Sequence, residues 1–553
     1  MRASALIWWS VSQELPLKSM GGRVQSPGRF VLAVAAMFGL VIGASAKADD
    51  QLTIKTDKGK IHGKKSDDGQ VRTFLGVPYA APPIGVLRWK PPQPAAKWDG
   101  ARDATSFGSH CMQPNIYSDM HFRDPGGSED CLTLNVWTSA KGKHAKLPVM
   151  VWIYGGGFVA GTTSEPRQDG EHLATKGVVV VSMNYRLGLF GFFVHPGLAA
   201  ESIQHAAGNY GLMDQTAALE WVKRNISGFG GDPKNVTILG ESAGSFSVSA
   251  QMASPLAQGL FVHAIGESGA AFTSRGLSFA SLNERETSDP AWAMATFGTS
   301  DLAALRAMSA QELIQKMATQ TNPGHSGTGP DVDGYFLPES VPQIYSEGKQ
   351  AHVPLLAGWN RDEPTALAVN FPVPPTVQSF QQQAEKNFEE RAPEFLKVYS
   401  AETDADAVRS AIDFSGDSFI AFGTWEWLEA QVATGGASVY RYHFERPAPA
   451  DKYHPAGSGA FHSDEIDYVF GTLNSRPDAV WQPEDQKLSD LVEAYWTNFA
   501  RTGNPNGSDV PQWPRYNAAD GWKIMHLDVN SEAGPDQHRD RYQFLRSAWA
   551  KKV

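Results

Sequence analysis

The sequence predicts an α/β fold with a mostly parallel central sheet that is flanked by helices. Short apolar runs typical of buried strands, at 147–154, 178–181 and 353–359, are separated by segments with helical periodicity, such as 211–226. In addition, the β-branched run 236–239 leads into a Gly-x-Ser-x-Gly turn and then into a helix rich in small residues. Parallel strands need crossover helices, so this alternation favours a sheet covered on both faces.

The remaining elements follow in a regular order along the chain. Residues 52–63 suit an opening hairpin, and 132–136 alternate as a half-buried strand does. Further strands are expected at 260–265 and at 439–444, the latter as the last central strand. A helix with a clear apolar face is expected at about 486–499, near the C-terminal end.

Two long segments do not fit the strand and helix alternation of the sheet. Residues from about 271 to 351, and again from about 373 to 436, show helical and loop-rich patterns. They are predicted to be helical insertions over the carboxyl edge of the sheet, where they would wall a pocket. The chain shows no internal repeat and no low-complexity linker, so residues 47–553 are predicted to form a single domain.

Composition excludes several functional classes. The chain has 553 residues, of which 42% are hydrophobic and 19% charged, as in globular proteins with a large core. Its net charge of −11 and the lack of any basic block argue against a nucleic-acid partner. Neither an HExxH nor a Cys-x-x-Cys pattern occurs, and we therefore expect no metal and no cofactor.

The N-terminal segment resembles an export signal. A small and apolar run at 30–43 is preceded by two arginines and followed by Ala-Ser-Ala at 44–46. Residues 1–46 are therefore predicted to be a signal peptide, with Met20 as an alternative start because the preceding stretch is unusually long. The mature protein is expected in the periplasm or outside the cell, without a stable membrane anchor. Export would also favour a disulfide between Cys111 and Cys131, which are the two cysteines of the chain.

Ser242 is the predicted nucleophile of the Gly-x-Ser-x-Gly turn. A serine hydroxyl needs a positioned base, usually a histidine whose tautomer is held by a carboxylate. When the nucleophile lies on such a strand-to-helix turn, the acid and then the base follow along the chain. Glu363, just beyond the strand at 353–359, suits the acid, and its neighbour Asp362 suits it equally well.

Two histidines compete for the role of base. His462 and His454 both lie in the loop after the strand at 439–444, out of 15 histidines in the chain. An oxyanion-binding loop is also predicted. Three glycines, 155–157, directly follow a buried strand, and backbone N–H groups without side chains in the way can point into a site.

Taken together, these residues resemble the type-B carboxylesterase and cholinesterase family of α/β-hydrolases. The resemblance extends from about residue 52 to the C-terminus and rests on separate blocks in the same order. These blocks are 74–79 with Leu87 and Arg88, 129–132, 155–158, 184–186, 240–244, Asp362 with Glu363, and His462.

The resemblance implies a choice between the alternatives left open above. It implies Glu363 rather than Asp362 as the acid, and His462 rather than His454 as the base. Both would serve Ser242 in a Ser-Glu-His triad.

The resemblance also implies roles for residues around the triad. The backbone N–H groups of Gly156, Gly157 and Ala243 would form the oxyanion hole. Glu241 and Ser268 would support the triad from behind.

Further implied positions are structural. The resemblance implies a Cys111–Cys131 disulfide and the ion pairs Arg88–Glu129 and Arg186–Asp214. One departure concerns specificity: cholinesterases carry a tryptophan within the first disulfide loop to receive the choline cation, whereas residues 112–130 contain none. A choline-selective site is therefore not expected.

The implied activity is hydrolysis of small-molecule carboxylic esters through an acyl-enzyme. Acyl transfer, or cleavage of lactones or amides, would use the same triad. A non-catalytic recognition module is the alternative from another class, although such relatives typically lose the nucleophile that this chain retains. The sequence indicates neither the natural substrate nor the oligomeric state.

Overall fold

The computed structural model, which describes residues 51–272, 279–319, 329–364 and 374–550, is built around an eleven-stranded sheet. In chain order its strands are β1 (Lys64–Lys65), β2 (Arg72–Pro78), β3 (Thr133–Thr138), β4 (Leu147–Ile153), β5 (Val179–Met183), β6 (Gly231–Glu241), β7 (His263–Glu267), β8 (Leu355–Asn360), β9 (Val439–Phe444), β10 (Lys523–Leu527) and β11 (Glu532–Pro535). The order across the sheet is β11-β10-β9-β8-β7-β6-β4-β5-β3-β2-β1.

The predicted mostly parallel sheet is confirmed. Every neighbouring pair between β5 and β10 is parallel, whereas β1, β2 and β3 at one end and β11 at the other pair antiparallel. The carboxyl ends of the parallel strands therefore meet at one edge, where α/β folds place their ligand sites.

Burial explains the composition of the strands. All residues of β5, β7, β8 and β9 are buried, because helices cover both faces of a parallel sheet. The alternation in β3 suggested a half-buried strand, and that expectation is wrong: all six of its residues are buried, including the polar ones. Asn135, for example, donates from its side chain to Ser182 and accepts from the Gly76 N–H.

Helices surround the sheet and fill both predicted insertions. In chain order they are α1 (Glu171–Ala174), α2 (Gly188–Phe192), α3 (Pro196–Glu201), α4 (Tyr210–Asn225), α5 (Ala243–Ala253), α6 (Leu282–Phe297), α7 (Leu302–Ala307), α8 (Ala310–Ala318), α9 (Val341–Ser346), α10 (Val377–Phe388), α11 (Ala392–Val398), α12 (Asp404–Gly416), α13 (Phe422–Thr434), α14 (Ile466–Phe470), α15 (Pro483–Thr502) and α16 (Arg539–Trp549). Along the chain, helices α6 to α9 come between β7 and β8, and helices α10 to α13 come between β8 and β9.

Strand β9 is not the last central strand. β10 adds to it in parallel register and β11 closes that end of the sheet. The prediction missed β10 because it is short and mixes lysine and histidine with apolar residues, so that its pattern alone does not mark a buried strand.

Several long-range links fasten the N-terminal part of the unit. A disulfide joins Cys111 to Cys131, which are 20 residues apart. The Arg88 guanidinium binds both carboxylate oxygens of Glu129, at 2.6 and 2.7 Å. The second predicted ion pair joins Arg186 to Asp214. Both oxygens of the Asp214 carboxylate accept from the Arg186 guanidinium at 2.7 Å.

Residues Leu52–Val553 form one compact unit. The predicted signal peptide, residues 1–46, lies outside the described residues. Within the described ranges, none of the helices has the length and hydropathy needed to cross a bilayer.

Candidate active site

Ser242 occupies a strained turn between β6 and α5. Its backbone adopts φ 52° and ψ −121°, a region that residues with side chains rarely visit. Neighbouring backbone leaves no room for side chains on either side of it. A Cβ on Gly240 would lie 2.5 Å from the Ile153 carbonyl oxygen, and one on Gly244 would lie 1.9 Å from the same atom. The two glycines let β4 pack directly against the turn, which projects Ser242 from the carboxyl edge of the sheet.

A continuous hydrogen-bonded chain joins three of the predicted residues. His462 Nε2 lies 2.9 Å from Ser242 Oγ, and His462 Nδ1 lies 2.6 Å from Glu363 Oε2. The other oxygen of Glu363 accepts from the Asn360 N–H at 2.8 Å, which orients the carboxylate. If Nδ1 carries the imidazole proton, Nε2 is free to accept the proton of the serine hydroxyl.

The two alternative residues have other partners. Asp362 binds two other groups: it accepts from the Arg409 guanidinium at 2.6 Å and from the Ala460 N–H at 3.0 Å. His454 stacks on Phe461, with ring centroids 3.9 Å apart, and its Nδ1 lies 3.1 Å from the Asp451 carboxylate. Both residues therefore support the loop that carries His462.

The electrostatic environment favours positive charge on His462. Burial lowers the pKa of this imidazole, but Glu241 and Glu363 outweigh that effect and raise the pKa to about 9. Glu241 Oε1 lies 3.2 Å from Nε2. Burial in turn raises the pKa of Glu241, against the influence of His462 and Arg167. An imidazolium formed during proton transfer would thus be stabilised by two carboxylates.

The glycines after β4 and the first residue of α5 adjoin Ser242. Gly155 packs on Ser242, since a Cβ at Gly155 would lie 3.0 Å from the serine Cβ. Gly156 and Gly157 follow with φ of 99° and 64°, and Ala243 begins α5. Within the described parts of the chain, the N–H groups of Gly156, Gly157 and Ala243 donate to no other group. They are available to an anion at this place.

A second layer of buried polar groups lies behind the triad. Ser268 donates to Glu465 at 3.2 Å, and the other oxygen of Glu465 accepts from the Asn360 side chain at 2.5 Å. Burial raises the pKa of Glu465, and the nearby Glu241 and Glu363 raise it further. Sequence reasoning singled out Ser268 but missed Glu465 and Asn360. No local pattern marks these two residues, because the contacts that bring them together join distant segments of the chain.

One aromatic neighbour of the base was also missed. The ring of Phe419 lies edge-on to that of His462, with centroids 5.3 Å apart. Phe419 belongs to a π-helical turn (Asp417–Ala421) between α12 and α13, so the second insertion reaches the site. Such turns are frequent at functional sites, but no local pattern distinguishes them from ordinary helix.

A profile of the carboxylesterase family matches residues 50–545. Individual relatives match over most of their length. A fumonisin B1 esterase from Sphingopyxis macrogoltabida is 36% identical, and the alignment covers 89% of this chain and 90% of the relative. A para-nitrobenzyl esterase from Bacillus subtilis is 36% identical, and the alignment covers 89% of this chain and 98% of the relative. The human carboxylesterase 5A is 35% identical, and the alignment covers 96% of this chain and 94% of the relative. The chain therefore belongs to the carboxylesterase family of α/β-hydrolases and is a carboxylic ester hydrolase.

Proposed function

We propose that the protein hydrolyses carboxylic esters with Ser242 as nucleophile, His462 as general base and acid, and Glu363 as the residue that orients the imidazole. The observation that carries the proposal is the chain from Ser242 Oγ through His462 to Glu363, at 2.9 and 2.6 Å. It is supported by the adjoining N–H groups of Gly156, Gly157 and Ala243, which donate to no other group among the residues that the structure describes. A nucleophile, a base, an orienting acid and an anion site in one place are the parts that acyl transfer to serine needs.

In the first half-reaction, Ser242 Oγ attacks the ester carbonyl carbon while His462 Nε2 takes the hydroxyl proton. The carbonyl oxygen becomes an anion, which the N–H groups of Gly156, Gly157 and Ala243 bind. The tetrahedral intermediate then collapses: the bond to the alcohol oxygen breaks, and His462 gives its proton to the departing alcohol.

In the second half-reaction, water attacks the acyl-enzyme. His462 takes a proton from the water, the same N–H groups bind the second oxyanion, and the bond to Ser242 Oγ breaks. The proton returns to the serine oxygen and the carboxylic acid leaves. The sum is one ester and one water converted to one acid and one alcohol, with the enzyme unchanged.

The direct test is hydrolysis of p-nitrophenyl esters with acyl chains from acetate to laurate. We expect turnover with an optimum in acyl length, and a loss of kcat of at least about 10³-fold in Ser242→Ala. The matched control is Ser245→Ala, which removes a neighbouring buried hydroxyl whose hydrogen bond, among the described residues, goes to the Gly269 carbonyl. Equal activity in Ser242→Ala and Ser245→Ala would overturn the assignment.

The same assay separates the competing activities. Added alcohol acceptors would divert the acyl group from water if the enzyme were mainly a transferase, and the ratio of new ester to acid measures this. A recognition module would hydrolyse none of the esters.

We also propose that the protein is exported and that residues 1–46 are removed. The disulfide between Cys111 and Cys131 supports this, because such bonds persist in oxidising compartments. Expression of the full chain in a Gram-negative host, followed by fractionation and N-terminal sequencing, tests it. We expect a mature chain that begins near residue 47 outside the cytoplasm, and a variant lacking residues 1–46 that stays inside. An intact N-terminus in the cytoplasm would contradict the proposal.

A further inference from the structure

Three side chains of metal-ligand type share one face of the sheet at β9 and β10. His443 lies on β9, and Glu445 follows two residues later, so that both side chains point to the same face. The Glu445 N–H donates to the Leu527 carbonyl, which extends the pairing of β9 with β10. His526 of β10 is the register partner of His443 and therefore faces the same way.

The donor atoms of this His-His-Glu cluster converge. Glu445 Oε1 lies 2.8 Å from His443 Nδ1 and 2.6 Å from His526 Nδ1. One ligand atom from each residue lies within 4.8 Å of the other two. A glycine on the next strand makes room for the ring of His526, since a Cβ on Gly534 would lie 3.0 Å from it.

The contacts of His526 leave one nitrogen without a proton to donate. Its Nδ1 faces Glu445, and its Nε2 lies 3.3 Å from the Pro535 carbonyl oxygen. A neutral imidazole has a single N–H, yet both nitrogens here face oxygen acceptors. With the N–H at Nε2, directed at the Pro535 carbonyl, Nδ1 presents its lone pair beside the Glu445 carboxylate, as a metal ligand does.

We propose that His443, Glu445 and His526 form a binding site for a divalent transition-metal cation of the Zn²⁺ type. Two imidazoles and one carboxylate are a known ligand set for Zn²⁺, with water or another ligand in the remaining position. The Pro535 carbonyl would hold the Nε2 proton of His526, as carbonyls behind metal-binding histidines commonly do.

The geometry needs little adjustment to accept such an ion. Zn–N and Zn–O distances of about 2.0–2.1 Å place tetrahedral ligand atoms about 3.3 Å apart. The observed separations of 2.6 and 2.8 Å from Glu445 would therefore widen by less than about 1 Å. Access is open from solvent, because the side chains of His526 and Glu445 are 17% and 25% exposed.

The charges nearby suit a cation. Glu445 supplies the carboxylate of the cluster, and its Oε1 faces both imidazoles. The buried Arg441 guanidinium, which lies on the same strand, is paired with Asp536.

The test is metal binding by the full chain after treatment with a chelator. We expect calorimetry and elemental mass spectrometry to find about one Zn²⁺ per chain, and Co²⁺ to give the visible absorption of a site with nitrogen ligands. His526→Gln and Glu445→Gln should weaken binding at least about tenfold. The control His352→Gln removes an exposed histidine elsewhere and should leave binding unchanged.

Two results would overturn the proposal. One is a wild-type chain that binds no Zn²⁺ above the level expected of scattered surface histidines; the cluster is then only a hydrogen-bonded group of three side chains. The other is equal affinity in wild type, His526→Gln and Glu445→Gln. If the variants do not fold, as judged by circular dichroism, the Co²⁺ spectrum of the wild type alone decides, since a fully hydrated ion would exclude histidine ligation.

Discussion

At the scale of single residues, two neighbouring acids end in different environments. Glu363 binds the imidazole of His462, whereas Asp362 binds Arg409 and the Ala460 N–H. Both residues lie in the turn after β8, where no strand alternation determines which side chain faces His462. The sequence alone left this choice open for that reason. Ser242 could be predicted because its turn has a local signature, but Glu465 could not, because its partners come from distant segments.

Replacement of these two acids tests the assignment directly. Glu363→Gln keeps the shape of the side chain but removes the charge that holds and stabilises the imidazolium. We expect kcat to fall about 10³-fold to 10⁴-fold, as measured with a p-nitrophenyl ester. The matched control is Asp362→Asn, which should retain most of kcat. A larger loss in the control than in Glu363→Gln would assign the acid to Asp362.

The contact between Glu241 and His462 predicts how ester hydrolysis depends on pH. Its carboxylate raises the pKa of His462, so Glu241→Gln should lower that pKa from about 9. The base must be neutral to accept a proton; the acid limb of kcat/KM should therefore move to lower pH. The plateau of kcat should also fall by about tenfold, because the imidazolium loses one stabilising charge.

The measurement is a full pH profile of kcat/KM for the wild type, Glu241→Gln and a control. Glu493→Gln is a suitable control, since Glu493 is buried against Lys176 and makes no described contact with the triad. An unshifted limb in Glu241→Gln, or an equal shift in Glu493→Gln, would contradict the electrostatic role of Glu241.

At the scale of elements, the turn between β6 and α5 depends on the close approach of β4. Gly244→Ala would place a methyl group 1.9 Å from the Ile153 carbonyl oxygen. We expect the free energy of unfolding to fall by about 1–3 kcal/mol and ester hydrolysis to be lost as Ser242 is displaced. Denaturant titration and the ester assay measure the two effects.

The control for this substitution is Gly142→Ala, at a position where a Cβ would meet no atom within 4 Å. It should change neither stability nor activity. A Gly244→Ala variant as stable and active as Gly142→Ala would show that β4 can move away from the turn at little cost.

The positions of several buried parallel strands could be predicted from the sequence, but the strand β10 near one end of the sheet could not. Uninterrupted apolar runs marked β4, β5 and β8 to within a few residues. Strand β10 carries Lys523 and His526 among its five residues, and it becomes a strand through pairing with β9 and not through its own propensity. The His-His-Glu cluster was unpredictable for the same reason, because its ligands meet only when the register of β9 and β10 is known.

At the scale of the whole molecule, the disulfide closes a loop, residues 111–131, that forms hydrogen bonds to the segment after β4. Within the loop that it closes, the Gln113 side chain bonds both the N–H and the carbonyl of Gly161, and Asp124 accepts from Ser164. Cys111→Ser combined with Cys131→Ser should lower the free energy of unfolding by about 3 kcal/mol, since the unfolded chain regains the freedom of the loop.

Denaturant titrations with and without a thiol reductant test this prediction. The reductant should lower the midpoint of the wild type to that of the double variant and leave the double variant unchanged. Equal midpoints for oxidised wild type and double variant would show that the crosslink adds no stability.

The two outermost strands of the sheet have a consequence for the behaviour of the protein at high concentration. An eleven-stranded sheet that ended in long, apolar strands would offer two templates for pairing with other chains. Instead, one border is Lys64–Lys65, two exposed lysines, and the other is Glu532–Pro535, which opens with an acid and closes with a proline. Repulsion between like charges and the missing proline N–H both oppose strand addition. The sheet thus carries its own protection against amyloid-like stacking.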